Sequence, residues 1–397
     1  MKVPFLDIKK QQNQLAEEIM KTIGDILNSC SFVNGPYVQR FESEVQEYLN
    51  VKHAIGCGNG TDALVLALRA CGIGYGDEVI TTPFSFFATA EAIASVGATP
   101  VFVDIKDSDY TIDPDKIEAA ISKKTKAILP VQIFGCCCDM DSIMEIARKH
   151  SLFVIEDDAQ AFGSRYNGKA AGTLADIGCF SFYPTKNLGC CGDGGMCTTN
   201  NDELAVAIRA LREHGAGKNG AKAAEHLTGK ISELSLSEDN AELYDPYKYY
   251  NFLIGYNSRL DAIQAGILSV KLRHIDDYNR LRAEIAKKYI RNLSDEFAVP
   301  KYSDKCSPCW HQFAIRTGQK EKLCKYLGEN GIGAGTFYPV PLHKQKAFSK
   351  QNCKNAGEIL PVAERVCSET VCLPIYPELT EEEVNCVIRT VNKFLEV

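Results

Sequence analysis

The first periodic signal in the chain is helical. Leu15, Ile19, Ile23, Ile26 and Leu27 recur at the spacing that places them on one helix face. A second amphipathic stretch follows, with Val38, Phe41, Val45 and Tyr48 on its apolar side. From about residue 54 the texture changes. Short apolar runs (Val79 to Thr81, Pro100 to Val103, Ala127 to Val131, Leu152 to Glu156) alternate with helix-like segments near 61–71, 87–97, 114–122 and 139–150. Continuous apolar strands separated by helices predict an α/β fold, a parallel sheet covered on both faces. Helical order returns after Ser258, where Leu260, Ile263, Ile267 and Val270 share a face, and again over about 276–292. From near Pro300 the pattern predicts a small α+β unit. Its last helix opens with a capping box, Thr380 to Glu383, and carries Val384, Val387, Ile388, Val391 and Phe394. The stretch 216–250 breaks the rhythm. It is polar and poor in apolar periodicity, which predicts a long loop or partly disordered excursion.

Composition narrows the class. A chain of 397 residues is too long for one compact core, so a large domain over 1–276 and a smaller C-terminal domain over 277–397 are expected. The net charge of −7 speaks against a nucleic-acid partner. No apolar run reaches the roughly 20 residues that span a bilayer. The segment Met1 to Asp7 lacks a long hydrophobic stretch, so no secretory signal or membrane partner is expected and a cytoplasmic location is. Of the 17 cysteines, Cys57, Cys179, Cys324, Cys372 and Cys386 lie in apolar stretches, where free Cys acts as a small hydrophobe. Cys136-Cys137-Cys138 and Cys306-Ser307-Pro308-Cys309 are the two clusters to test for metal. No second CxxC or HxxxH stands at zinc-site spacing, so both read as incidental and no metal is expected.

The chemistry gathers around two residues. Asp157 closes the apolar run Leu152 to Glu156, and Lys186 follows 29 residues later in Phe180-Ser181-Phe182-Tyr183-Pro184-Thr185-Lys186-Asn187. A lysine able to form a Schiff base, with a carboxylate able to pair with a pyridinium nitrogen, is the minimum protein equipment for pyridoxal phosphate chemistry. Ligands of open α/β sheets bind beyond the carboxyl ends of the strands, where Asp157 stands. At about 4 Å such an ion pair approaches about 4 kcal/mol in an effective dielectric of about 20. The aromatic and glycine neighbours of Lys186 predict a buried loop, and burial frees an amine for carbonyl attack.

A phosphate needs its own site. Gly56-Cys57-Gly58-Asn59-Gly60-Thr61-Asp62 opens the helical stretch Ala63 to Ala70, so unpaired N–H groups and a positive dipole end meet there, with the Thr61 hydroxyl beside them. Ser181 is a second hydroxyl donor for the phosphate, five residues before Lys186. The segment is neither a Walker A loop nor a dinucleotide fingerprint. Each residue also has a bland reading. Asp157 could cap the next helix, Lys186 could be a surface lysine, and the Gly-Thr turn could be plain loop and cap. Phe86, in Pro83-Phe84-Ser85-Phe86-Phe87, could be core packing rather than a stacking partner for a flat ring. Their coexistence selects the functional reading.

Taken together, these segments resemble the DegT/StrS-type sugar aminotransferases, a branch of the fold-type I pyridoxal phosphate enzymes. The resemblance spans essentially the whole chain. It is carried by Phe32 to Pro36, Gly58 to Leu64, Glu156 to Gln160, Ser181 to Lys186, Gly192 to Gly195, Gly255 to Asp261 and Phe337 to His343. It implies a large three-layer αβα domain with a parallel sheet and a smaller C-terminal α+β domain. It implies that Lys186 is the Schiff-base lysine and proton shuttle, that Asp157 pairs with the pyridinium, and that Gln160 contacts the ring-hydroxyl region. Phe86 takes the stacking place, while Gly60, Thr61, the Asp62 backbone N–H and Ser181 hold the phosphate. Asn257 reaches the phosphate of the partner subunit, so a homodimer with shared active sites is implied. Tyr338 and His343 match positions near the sugar-binding mouth.

The implied reaction moves an amino group from L-glutamate to a nucleotide-linked keto-deoxysugar. Relatives that act as dehydratases carry histidine in place of the lysine, so Lys186 favours transamination. Thr185 before the lysine resembles the 3-keto rather than the 4-keto enzymes, which often carry histidine there. Two alternatives remain: an aminotransferase acting on a cyclitol ketone, and a regulatory protein that keeps the pyridoxal phosphate fold without turnover. The length of 216–250 departs from most relatives, and it either closes over the nucleotide or is inert.

Overall fold

Runs that are apolar on both faces become strands. They are β1 (His53–Cys57), β2 (Glu78–Thr81), β3 (Thr99–Phe102), β4 (Thr125–Leu129), β5 (Phe153–Asp157), the short pair β6 (Arg165–Tyr166) and β7 (Lys169–Ala170), β8 (Ile177–Ser181) and β9 (Gly195–Thr199). The computed structural model describes residues 1–229, 249–350, 352–355 and 357–396. Seven of these strands form one sheet in the order β1-β9-β8-β5-β4-β2-β3. Alternate side chains enter opposite cores. Val79, Ala127 and Leu129 pack with Leu64, Leu68 and Ile208 on one face, whereas Ile80, Ile128 and Val154 pack with Ile143 and Ala147 on the other. Helices therefore cover both sides, the three-layer α/β arrangement that the sequence predicts.

The sheet departs from the all-parallel expectation at one strand. β9 runs antiparallel to both β1 and β8, while the pairings of β2, β3, β4, β5 and β8 are parallel. The reason is the connection. Residues 182–194 return from β8 without a crossover helix, and a parallel return needs one.

Later in the chain stand β10 (Cys306–Ser307), β11 (Phe313–Arg316) and β12 (Thr370–Leu373). β11 and β12 pair antiparallel, and a second core gathers Phe313, Ile315, Leu323, Val371, Val387 and Val391. Val3 belongs to this core and bridges to Ile332, although it lies at the other end of the sequence. The helix Ile275–Asn292 spans both cores, with Ile275 in the sheet domain's and Tyr289 in the second. The capping box forms at Glu381–Lys393: the Thr380 N–H donates to Glu383 at 2.8 Å, and the Glu383 N–H donates to the Thr380 hydroxyl at 3.2 Å.

The expected loop at 216–250 begins instead as a helix, Gly217–Thr228. Its buried positions are Gly220, Ala221 and Ala223, too small to register as an apolar stripe. A Cβ on Gly220 would lie 2.1 Å from the Gly215 carbonyl oxygen, so only glycine allows the chain to pack there. Residues 230–248 of the expected excursion lie outside the described residues. Among the described residues no helix is long and apolar enough to cross a membrane.

Candidate active site

Asp157 is the last residue of β5. Its N–H donates to the Pro130 carbonyl at 2.9 Å and its own carbonyl accepts from Gln132 at 3.0 Å, which fixes the backbone beyond the strand ends. The carboxylate is buried but not alone. Thr89 donates its hydroxyl to Oδ2 at 2.7 Å, and Ala159 donates its N–H to Oδ1 at 3.2 Å. Thr89 has a single hydroxyl proton, so Ser85, 2.7 Å away, is the donor to Thr89. A relay of two hydroxyls thus holds the carboxylate from the helix Ala88–Ser95 and the turn before it. Burial pushes Asp157 above the usual carboxylate range, while Thr89, Ala159 and the charge of Lys186 pull it back.

Lys186 sits in the loop between β8 and β9. The loop is pinched at its base, where the Phe182 N–H donates to Gly194 and the Cys190 N–H to Phe182, both at 2.8 Å. Within it the Lys186 N–H closes a turn onto the Tyr183 carbonyl at 2.8 Å. The turn leaves no slack. A Cβ on Gly189 would stand 2.6 Å from the Pro184 oxygen and 2.9 Å from the Tyr183 oxygen. From behind, the buried Lys271 donates to the Gly189 carbonyl at 2.8 Å.

The residue after the lysine anchors the other side. Asn187 donates to Asn279 at 2.8 Å and to the Cys309 carbonyl at 2.9 Å. With both amide protons used, its oxygen accepts from His311 Nδ1 at 3.0 Å, which assigns the Nδ1–H tautomer and leaves the Nε2 lone pair free for another partner. The Lys186 amine itself is half-buried and makes no hydrogen bond among the described residues. Burial brings its pKa down to about 8, against the Asp157 carboxylate, which raises it. Burial and then the Lys186 charge hold His311 well below its ordinary value, hence neutral.

The third part of the cluster is the start of the helix Gly60–Ala70, beside the end of β8. Asn59 caps it by accepting the Asp62 N–H at 2.8 Å. The Gly60 and Thr61 N–H groups are left unpaired among the described residues, as expected of a first helical turn. The Asp62 N–H, expected to hold phosphate, is thus already taken by Asn59. The Asp62 carboxylate is occupied too, accepting the Ser258 hydroxyl at 2.6 Å. A Cβ on Gly60 would fall 2.6 Å from the Ser181 Cβ and 3.1 Å from its hydroxyl oxygen, so Ser181 lies directly against the helix start. Two open N–H groups stand at a positive dipole end with the Ser181 hydroxyl against it, and Thr61 brings a second hydroxyl on the same turn. That donor set suits a phosphate dianion.

Aromatic side chains complete the surroundings. Phe86 is 58% exposed, an unusual amount for phenylalanine, and its ring centroid lies 6.2 Å from that of Tyr338. The Tyr338 hydroxyl accepts from Gln160 Nε2 at 2.8 Å, and Gln160 Oε1 accepts the Phe134 N–H at 2.8 Å. Tyr338 is half-buried, and burial first and the Asp157 charge second raise its phenol. Among the described residues one Gln160 N–H has no partner, and the other braces Tyr338. His343 is set apart. It is buried, it pairs with Glu364 at 3.2 Å and it lies beside the Phe102 ring, none of which belongs to the cluster. Asn257 is exposed and bridges to Glu213 through its backbone.

Several members of the cluster escaped sequence reading: Ser85, Thr89, Asn187, Lys271 and His311. Two had a visible signal, since Ser85 and Thr89 are polar residues within an otherwise apolar stretch and are both buried. His311 and Lys271 had none, because each depends on a distant segment folding against the Lys186 loop.

The chain is similar to known proteins over nearly its whole length. The sequence model of the DegT/DnrJ/EryC1/StrS aminotransferase family matches residues 13–392. The chain is 44% identical over 398 residues, 99% of either chain, to a pleiotropic regulatory protein of Geobacillus stearothermophilus. It is 41% identical over 393 residues, again 99% of either chain, to the dTDP-3-amino-3,6-dideoxy-alpha-D-galactopyranose transaminase of Aneurinibacillus thermoaerophilus. Among solved structures, NtdA of Bacillus subtilis with its bound cofactor PMP superposes with a TM-score of 0.86 at 32% identity, covering 100% of this chain and 86% of that one.

Proposed function

The chain belongs to the DegT/DnrJ/EryC1/StrS aminotransferase family, whose members use pyridoxal phosphate, and from that premise we propose that it transfers the amino group of L-glutamate to the 3-keto group of a nucleotide-linked deoxysugar. The observation that carries this reading is the placement of an unpaired, low-pKa lysine, a braced buried carboxylate and an open helix start beside the ends of the paired strands β5 and β8.

The donor set fits the cofactor. The glycine at 60 leaves the space into which a Cβ would intrude, and the Thr61 and Ser181 hydroxyls with the Gly60 and Thr61 N–H groups would hold the phosphate. Phe86 would cover one face of the ring. Asp157 would keep a proton on the ring nitrogen, with Thr89 and Ser85 fixing its carboxylate in place. When bound, pyridoxal phosphate supplies the electron sink that acidifies the α-proton of an amino acid.

Lys186 Nζ would take that proton and return it. With a pKa of about 8, far more of the amine is unprotonated near neutral pH than in an ordinary lysine, whose pKa is about 10.4. A base so poised contributes roughly 10²- to 10⁴-fold. Asn187, the neutral His311 and the Lys271 contact to Gly189 would hold the loop that aims it. Tyr338 would bound the ring edge, whereas the buried His343 takes no direct part.

Two observations favour the 3-keto position. Threonine, not histidine, precedes Lys186, and the similar transaminase of Aneurinibacillus thermoaerophilus is named for a 3-amino sugar. Sharing of sites in a homodimer is favoured by the exposed Asn257 and by Phe32, Val33 and Ile254, apolar residues exposed on neighbouring segments joined through Val33–Asp261 and Glu213–Asn257. The test is 2-oxoglutarate release from L-glutamate with dTDP- or UDP-linked 3-keto and 4-keto sugars. Turnover of the 4-keto sugars alone would overturn the positional claim, and turnover of a cyclitol ketone alone would replace the substrate class.

A further inference from the structure

Two cysteine-bearing segments 170 residues apart meet in the fold, beside the active-site loops but outside the pocket. Cys136 follows the turn Ile133–Gly135, Cys306 opens β10, and their sulfurs lie 3.4 Å apart. The Cys137 N–H donates to Cys306 Sγ at 3.2 Å. Among the described residues no three His, Cys, Asp or Glu side chains are disposed to hold a metal ion, so the contact is a thiol–thiol one. We propose that Cys136 and Cys306 are an oxidation site, a thiol pair that a hydroperoxide converts to a disulfide tying the Gln160-bearing side of the pocket to β10.

The geometry suits the chemistry. A disulfide needs its sulfurs at about 2.05 Å, so the pair has roughly 1.4 Å to close, within reach of small side-chain rotations. The three thiols of Cys136, Cys137 and Cys306 titrate together. The first proton leaves Cys306: its contacts with the Cys136 and Cys137 side chains and the N–H that Cys137 donates to its sulfur hold it below the ordinary thiol value, while burial and the same contacts push Cys136 and Cys137 well above it. Cys306 is also the most accessible of the three, 8% exposed against 1% for Cys136 and 5% for Cys137, enough for a small peroxide.

The step balances. The Cys306 thiolate attacks one peroxide oxygen, giving a sulfenic acid and an alkoxide or hydroxide that takes a proton. The Cys136 sulfur then attacks the Cys306 sulfur, loses its own proton, and expels hydroxide as water. Two thiols and one hydroperoxide become one disulfide, one alcohol or water, and one water.

The consequence follows from the neighbours of Cys136. The Gly135 carbonyl accepts Ser164 at 2.7 Å and the Cys309 N–H at 3.1 Å, and a Cβ on Gly135 would stand 2.6 Å from the Cys309 sulfur. Phe134 holds Gln160, and the Cys309 carbonyl holds Asn187. A link at Cys136 therefore pulls on the segment that braces Tyr338 and the Lys186 loop.

The experiment treats the full-length protein with hydrogen peroxide, alkylates the remaining thiols and maps peptides without reduction. The expected product is a Cys136–Cys306 linked peptide that dithiothreitol cleaves. It should form nearly as fast at pH 6 as at pH 8, whereas ordinary thiols slow about tenfold per pH unit below about 8.5. Cys306→Ser removes it, and Cys136→Ala serves the same purpose should the serine variant fail to fold. The mass readout stands whether or not the protein turns over any sugar. Where turnover is measured, it should fall in proportion to the linked fraction and recover on reduction. The proposal is overturned if both thiols stay alkylatable while the exposed Cys30 and Cys191 oxidise, if Cys137 is the partner found, or if linked protein turns over undiminished.

Discussion

Gly60→Ala tests the phosphate cradle with one methyl group. Gly60 is the first residue of its helix and has an ordinary helical backbone, so alanine itself adds no backbone strain and gains about 1 kcal/mol of helix propensity. The cost is contact. The new Cβ would lie 2.6 Å from the Ser181 Cβ and 3.2 Å from its Cα, against the roughly 3.5–4.0 Å of an ordinary carbon contact. Helix start and β8 end must part by about 1 Å, an overpacking cost of about 1–3 kcal/mol. Net stability therefore falls by no more than about 2 kcal/mol. Ser181, however, moves off the donor set, and a hydrogen bond to a charged group is worth about 1.5–3 kcal/mol. Titration of the apo-protein should show pyridoxal phosphate binding weakened about 10- to 100-fold. Pyridoxal, which lacks the phosphate, should bind as it does to the parent. Equal weakening of both ligands, or of neither, would refute the assignment of the phosphate to Gly60 and Ser181.

Other expectations follow from the same pocket. The rate at which Lys186 captures pyridoxal should rise with pH only to about 8 and then level, and Asp157→Asn should move that midpoint lower, because the carboxylate is what raises it; a rise continuing to pH 10 would contradict the buried amine. Since folding depresses this pKa, the unfolded chain binds more protons between about 8 and the ordinary lysine value of about 10.4, so the contribution of Lys186 to stability should increase with pH across that window. Thr89→Val removes the hydroxyl donor to Asp157 and should slow turnover about 10- to 100-fold, from about 1.5–3 kcal/mol, with phosphate-dependent binding unchanged; loss of binding instead would indicate a structural role. Gly189→Ala should destabilise by about 1–3 kcal/mol or more, read from denaturant midpoints, because backbone oxygens at 2.6 and 2.9 Å cannot step aside as a side chain could.

Much of the chemistry was legible along the chain because it is local. Asp157 ends an apolar run, Lys186 sits among aromatic and glycine residues, and Gly60-Thr61 opens a helix; each signal lies within one element and its period. The same holds for the alternation of strands and helices and for the Thr380 cap. The helix Gly217–Thr228 was missed for the opposite reason, since its contact face is glycine and alanine and leaves no apolar trace.

Chemical identity thus belonged to the sequence, and partnership belonged to the fold. Residue types and short spacings already pointed to Lys186, Asp157 and the Gly60-Thr61 turn as the candidates for a Schiff-base lysine, a pyridinium acid and a phosphate site. Nothing in them could show that β9 runs backwards, that Asn59 claims the Asp62 N–H, that His343 faces Glu364, or that His311 stands by Lys186. Nor could they bring Cys306 against Cys136 across 170 residues. Those pairings depend on which distant segments bury one another, and burial is settled by the packing of the whole sheet and its two cores rather than by any neighbour in the chain.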